Sequence, residues 1–163
     1  KEELTVLFSD IRGFTSISEA LDSKELTHLM NEYFGAMTRV VQKNRGTLDK
    51  YIGDAIMAFW GAPLTDADHA RHAVQTALAM QTELRKLDAQ FTERGWPLLH
   101  IGVGVNTGTM TVGDMGSAGG PMTLLLAADS LCSGYAPGPV AMCEISSEGG
   151  LRAAAIVSEI SRH

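Results

Sequence analysis

Thr47-Leu-Asp-Lys-Tyr-Ile-Gly-Asp-Ala-Ile-Met-Ala-Phe-Trp60 is the stretch that decides the fold of this 163-residue chain. Two β-favouring runs, 47–52 and 55–60, are separated only by Gly53-Asp54. A parallel crossover takes a dozen residues or more. Two residues can therefore join the runs only as an antiparallel hairpin.

On the N-terminal side, Leu4–Phe8 predicts a short strand ending at Ser9-Asp10, and Ile11-Arg12-Gly13-Phe14-Thr15 turns the chain. Asp22 with Glu25 has the pattern of a capping box. Behind it Leu26, Leu29, Met30, Tyr33, Phe34, Met37, Val40 and Val41 recur at helical spacing. Gly46 is the expected stop. On the C-terminal side, a second helix is expected from Thr65-Asp66 to Arg94-Gly95, burying Ala70, Ala73, Val74, Ala77, Leu78, Leu84 and Leu87. Leu98–Val105 and Thr109–Val112 read as two strands around an Asn106-Thr107-Gly108 turn. The order is an α+β layout with a ferredoxin-like β-α-β-β-α-β core, its helices packed on a largely antiparallel sheet. Farther on, Met122–Ala128 reads as strand or helix, Gly134–Pro139 as a loop, and Leu151–Ser161 as a strand or a final helix.

Composition narrows the function. With 45% hydrophobic and 20% charged residues the chain is globular, and its net charge of −6 argues against a nucleic-acid partner, which requires a basic face. A phosphate substrate would have to be held by local devices or by bound cations. No apolar run approaches the ~20 residues of a membrane span. Cys132 and Cys143 suit neither a disulfide framework nor a zinc site, so a reducing, cytoplasmic setting is expected. The start at Lys1-Glu2-Glu3 reads as a cut from a longer protein, membrane-anchored or soluble. Charge also thins along the chain: residues 117–163 hold only four acidic and two basic side chains, but both cysteines.

Asp10 and Asp54 sit beside apolar runs. Taken singly, each has a structural explanation, a helix cap for Asp10 and a tight turn for Asp54. If the first strand pairs beside the hairpin, both carboxylates emerge at one end of the sheet, an oxygen-rich setting for Mg²⁺ carrying substrate phosphates. The turn at 11–15 would then offer free N–H groups to phosphate oxygens. Lys50 could reach a nucleotide, although a solvated lysine is the commoner outcome. His69 and His72 lie three residues apart near Asp66 and Asp68; a solvated helix start outweighs a metal site there. Met30 and Met37 read as core or dimer-face residues.

Phe8-Ser-Asp-Ile-Arg-Gly-Phe-Thr15, Lys50-Tyr-Ile-Gly-Asp-Ala-Ile-Met-Ala-Phe59 and Ile101-Gly-Val-Gly-Val-Asn-Thr-Gly108, followed by Val112-Gly-Asp114, resemble the class III nucleotidyl cyclase catalytic domain over about residues 3–117. The resemblance implies that Asp10, Asp54 and the Ile11 carbonyl hold two Mg²⁺ or Mn²⁺ ions. It implies that Gly13, Phe14 and Thr15 bind the triphosphate and that Lys50 helps select adenine. The implied reaction is ATP to cyclic AMP and pyrophosphate, in a homodimer or in a heterodimer with another cyclase domain. Domain limits of 1–117 for the core and 118–163 for a divergent or incomplete C-terminal part follow. There an ungapped continuation sets Thr123 at the base selector, Ser130 at an expected Asn and Gly134 at an expected Arg. No Asn follows Asn106, and the later arginines are Arg152 and Arg162. A catalytically defective nucleotide-binding or dimerisation module is the alternative reading. A receiver domain is disfavoured, because it would need a crossover where the hairpin stands.

Overall fold

A computed structural model describes residues 2–110, 140–147 and 150–158. Its elements are β1 (Glu2–Ile11), α1 (Phe14–Ala20), α2 (Ser23–Lys43), β2 (Thr47–Ile52), β3 (Ala55–Trp60), α3 (His69–Glu93), β4 (Ile101–Met110), β5 (Val140–Ser147) and β6 (Gly150–Ser158). Strands β2-β3-β1-β4 form an antiparallel sheet in that order, and β5 pairs with β6. The α+β, ferredoxin-like order expected from the hairpin is therefore present. The readings at 122–128 and 134–139, together with Thr123, Ser130 and Gly134, lie outside the described residues. For 151–161 the strand alternative holds through Ser158, and β6 runs alongside β4.

Alternation along β1 divides the core in two. Leu4, Val6 and Phe8 join Ala55, Met57, Phe59 and Ala62 on one face. Leu7 and Ile11 point the other way, into a larger cluster with Leu29, Tyr33, Met37, Trp60, Leu84 and Phe91 under the helices. Met30 and Met37 are in that core. Asp22 caps α2, accepting a 2.8 Å hydrogen bond from the Glu25 amide.

Four expectations need correction. Within the described residues there is one strand, not two: β4 runs unbroken, Ile101 opposite Ile11 through to Met110 opposite Glu2, and residues 111–112 of the second expected strand lie outside the described residues. Ten residues of β1 offer it a continuous ladder of partners, which outweighs the turn preference of Asn-Thr-Gly. Second, the residue with left-handed backbone after α2 is Arg45 (φ 66°), not Gly46. Gly46 is there for space, since a Cβ would lie 2.6 Å from Trp60 Cζ2. Third, α3 begins at His69 rather than near residue 65.

Fourth, its buried stripe is Ala73, Thr76, Met80, Gln81, Leu84, Leu87 and Phe91, while Ala70, Val74 and Leu78 are exposed. Hydropathy misses this because the two polar members are satisfied internally. Thr76 Oγ1 donates to the His72 carbonyl at 2.7 Å and Gln81 Nε2 to that of Ile101 at 3.2 Å. Among the described residues no helix is long and apolar enough to cross a membrane.

Candidate active site

β1 carries Asp10 one step beyond Phe8 on the face away from the helices, opposite Gly102 of β4. It is a strand residue; Gly13, not Asp10, stands at the N-cap of α1. Asp54 arrives from the hairpin tip. Gly53 takes the left-handed conformation (φ 61°) that so tight a turn demands. The Ile11 backbone N–H donates to Asp54 Oδ2 at 2.8 Å. That N–H belongs to the peptide bond joining Asp10 to Ile11, so Asp10 and Asp54, both half-buried, lie at the same end of the sheet.

Beyond them, the Arg12 amide bonds the His100 carbonyl at 2.8 Å and anchors the turn to the residue preceding β4. Gly13 (φ 61°, ψ 29°) then starts α1, whose N-terminus has no side-chain cap. Gly13 and Thr15 are exposed and Phe14 is half-buried. The loop thus presents main-chain N–H groups at the same end of the sheet as the carboxylates, an arrangement suited to anionic oxygens.

Lys50 pairs with Met57, which pairs with Phe8, so all three share the face that bears Asp10. Two strand spacings, about 10 Å, separate β2 from β1. The Lys50 ammonium lies 3.7 Å from Asp49 with its side chain 46% exposed. It is a solvated lysine positioned over the site's outer edge.

Sequence reasoning missed the polar groups buried around β1. Ser9 and Tyr33 are fully buried on the helix side, and the Asn106 side chain is buried on the opposite face. Burial pushes the Tyr33 phenol far above its ordinary range; Asp54 and Asp10 add to the rise, and the facing Ser9 hydroxyl opposes it. That hydroxyl contact falls short of full hydrogen-bond geometry. A Ser ahead of Asp10 in an apolar strand was the available signal, whereas Tyr33 reads simply as helix core.

The histidines of α3 are not a solvated pair. Thr5 Oγ1 lies 2.6 Å from His69 Nδ1 and 2.7 Å from Thr107 Oγ1, while His72 Nδ1 lies 2.6 Å from Asp66 Oδ2. Each ring has its own partner, and among the described residues no group of three or more His, Cys, Asp or Glu could hold a metal.

Residues 1–122 match the family described as the adenylate and guanylate cyclase catalytic domain. The chain is 36% identical over 117 residues to adenylate cyclase 1 of Rhizobium meliloti (strain 1021), an alignment covering 72% of this chain and 18% of that protein. It is 40% identical over 114 residues to the adenylate cyclase of Anabaena cylindrica, covering 69% and 22%. The chain thus spans about a fifth of the length of these relatives. Among solved structures, the guanylyl cyclase Cya2 superposes with a TM-score of 0.74 at 28% identity, over 97% of this chain and 91% of that one. On the sheet order, the motifs around the carboxylate pair and these similarities, the chain belongs to the adenylate and guanylate cyclase catalytic-domain family.

Proposed function

We propose that this chain is an adenylyl cyclase catalytic domain, converting ATP to cyclic AMP and pyrophosphate, and that its described core supplies the metal- and triphosphate-binding half of the site. The observation that carries the reading is the 2.8 Å bond from the Ile11 amide to Asp54, which brings the second carboxylate to the end of β1 beside Asp10.

The donor set suits Mg²⁺ or Mn²⁺. Two carboxylates and the Ile11 carbonyl are hard oxygen ligands, too few for a closed cage, which leaves coordination positions for phosphate oxygens and water. Two bound ions would supply acidification of the ribose 3′-hydroxyl and neutralisation of charge as that oxygen attacks the α-phosphorus and pyrophosphate leaves. The chain's own residues do the rest. Asp10 and Asp54 fix where positive charge gathers in a protein of net charge −6. Amides of Gly13, Phe14 and Thr15 orient the β- and γ-phosphates. Lys50 reaches the base from the outer strand, and Thr123 is assigned the same task from the sequence register alone.

A second reading has a specific observation in its favour: no Asn follows Asn106, and Arg152 and Arg162 stand away from the expected arginine position. A transition-state arginine in phosphoryl transfer is worth ~10³–10⁵ in rate, or roughly 4–7 kcal/mol. In a dimer that shares its sites between subunits, a homodimer of this chain would be weak or inactive. A heterodimer with an intact cyclase domain would have one competent site.

The test is cyclic AMP formation from ATP with Mg²⁺ or Mn²⁺, by the chain alone and mixed with a homologous cyclase domain that keeps its Asn and Arg but has its own two metal aspartates replaced. Activity in the mixture that disappears with Asp10→Ala and Asp54→Ala supports the assignment. Activity surviving both substitutions refutes it. Activity of the unmixed chain at the level of an intact domain removes the second reading.

A further inference from the structure

A cavity of about 410 Å³ opens at the far end of the β2-β3 hairpin, between the C-terminus of α2 and the chain leaving β3. The length of one strand, about 17 Å, separates it from the hairpin tip that carries Asp54. One wall is apolar, made by Ala62, Pro63 and Leu64; the other is polar, made by Gln42, Arg45 and Asp66. Thr47 Oγ1 donates to the Ala62 carbonyl at 3.3 Å and ties the two sides together. Two features mark this place out. Arg45 holds a left-handed backbone (φ 66°) that favours glycine, so any larger side chain there costs stability. Yet among the described residues the exposed Arg45 guanidinium makes no hydrogen bond or ion pair. Its charge is the smallest influence on Asp66, whose Oδ2 lies 2.6 Å from His72 Nδ1 and whose Oδ1 accepts from the Asp68 amide at 3.0 Å. The second feature is Leu64, 78% exposed, the most of any large apolar residue described.

We propose that this cavity binds a small organic monocarboxylate with an apolar tail, its carboxylate on the Arg45 guanidinium and its tail against Pro63 and Leu64. The paired N–H donors of a guanidinium match the two oxygens of a carboxylate. Gln42 brings a further amide donor to the same wall. The tail takes Leu64 out of water, which a bare anion such as phosphate would leave exposed. An ammonium ligand has no free acceptor of the right charge, because both oxygens of Asp66 are engaged within the fold. The volume stands near the lower limit for small-molecule sites, ~300 Å³, and so suits a short acid. The cavity shares no residue with the carboxylate pair, and the inference holds whether or not the chain turns over ATP.

The experiment titrates the full chain with sodium hexanoate at constant ionic strength. The Gly46 amide and the Leu64 methyl groups are followed by NMR, with thermal unfolding recorded on the same samples. The expected result is a saturable shift of both signals with Kd on the order of 1 mM. Acetate and inorganic phosphate, which lack a tail, should bind at least ~10-fold more weakly. Hexylammonium should give no saturable shift. Arg45→Gly should weaken hexanoate binding at least ~10-fold while melting no lower than the parent, which separates loss of the anchor from loss of the fold. Arg45→Gln, which keeps a polar side chain at the position, should weaken it as much. Leu64→Ser, read at Gly46, should lower hexanoate affinity roughly tenfold and leave acetate unchanged. Absence of a saturable shift with hexanoate overturns the proposal. So does acetate or phosphate binding as tightly as hexanoate, hexylammonium binding in its place, or parental affinity in both Arg45 variants.

Discussion

Gly46 and Arg45 are neighbours that should respond in opposite ways to substitutions a sequence table would rank the other way round. At Gly46 the backbone needs no glycine conformation; space is the constraint. A Cβ would stand 2.6 and 2.7 Å from Trp60 Cζ2 and Cε2 and 2.8 Å from Val41 Cγ1, where carbon atoms normally keep about 3.5–4.0 Å. Neither neighbour can yield. Trp60 is fully buried, and its Nε1–H donates to the Asn44 carbonyl at 2.9 Å, so the ring is fastened to the same turn it would have to leave. Overpacking of this kind costs ~1–3 kcal/mol, and a double collision with a fixed indole belongs at the top of that range. Gly46→Ala should therefore lower stability by about 3 kcal/mol, a fall in Tm of roughly 6–12 °C for a chain of this size. Arg45 holds a non-glycine residue at φ 66°, a strain of ~1–3 kcal/mol. Replacement by glycine relieves the strain and gives back ~0.5–1 kcal/mol as unfolded-state entropy. Arg45→Gly should be neutral or stabilising. Urea unfolding followed by tryptophan fluorescence reads both, since Trp60 and Trp96 are the only indoles and both are buried. Gly46→Ala within 0.5 kcal/mol of the parent, or Arg45→Gly destabilising as much as Gly46→Ala, refutes the reasoning.

Asp22→Ala removes the cap that the Glu25 amide bonds at 2.8 Å and should cost about 1 kcal/mol in thermal or urea unfolding, with no change in Mn²⁺ binding. Lys50→Glu, assayed in the mixture with the aspartate-replaced homologous domain, should lower the ATP-to-GTP rate ratio at least tenfold; an unchanged ratio removes Lys50 from base selection. The His72 hydrogen bond, helped by the Asp68 amide and the His72 and Arg45 charges, holds the Asp66 carboxyl below its ordinary value. A depressed carboxyl contributes stability above its unfolded-state pKa and loses it as pH falls through the folded one. The gap in Tm between parent and Asp66→Asn should thus be fully open at pH 5–6 and close below about pH 4. A gap that persists unchanged to pH 3 contradicts that linkage.

How much of this was legible in the sequence depended on whether the deciding interaction was local. The hairpin at 47–60 was readable because two residues leave a chain no other way to turn, and α2 because its capping pair lies within four residues. The face of α3 was not: choosing between the Ala70-Val74-Leu78 stripe and the one through Thr76 and Gln81 requires knowing that Ile101 offers Gln81 an acceptor. β4 was divided for the same reason, its continuity being a property of β1. In the site, Asp10 and Asp54 stood out as acids beside apolar runs. Ser9 and Tyr33 did not, because a serine in a strand and a tyrosine in a helix core are ordinary until both hydroxyls are found fully buried without a hydrogen-bond partner.

The alternation of β1 has a consequence for what changes the chain can survive. Its even residues build the face that ends in Asp10 and its odd residues the face that packs under the helices. Core and chemistry are written on one strand in a single reading frame. Inserting one residue anywhere between Leu4 and Ser9 would exchange the two faces. Inserting two would restore the faces but carry Asp10 some 6–7 Å past Asp54. Most surface loops tolerate length change; this strand tolerates none, and substitution is the only route by which its site can be altered while the sheet is kept.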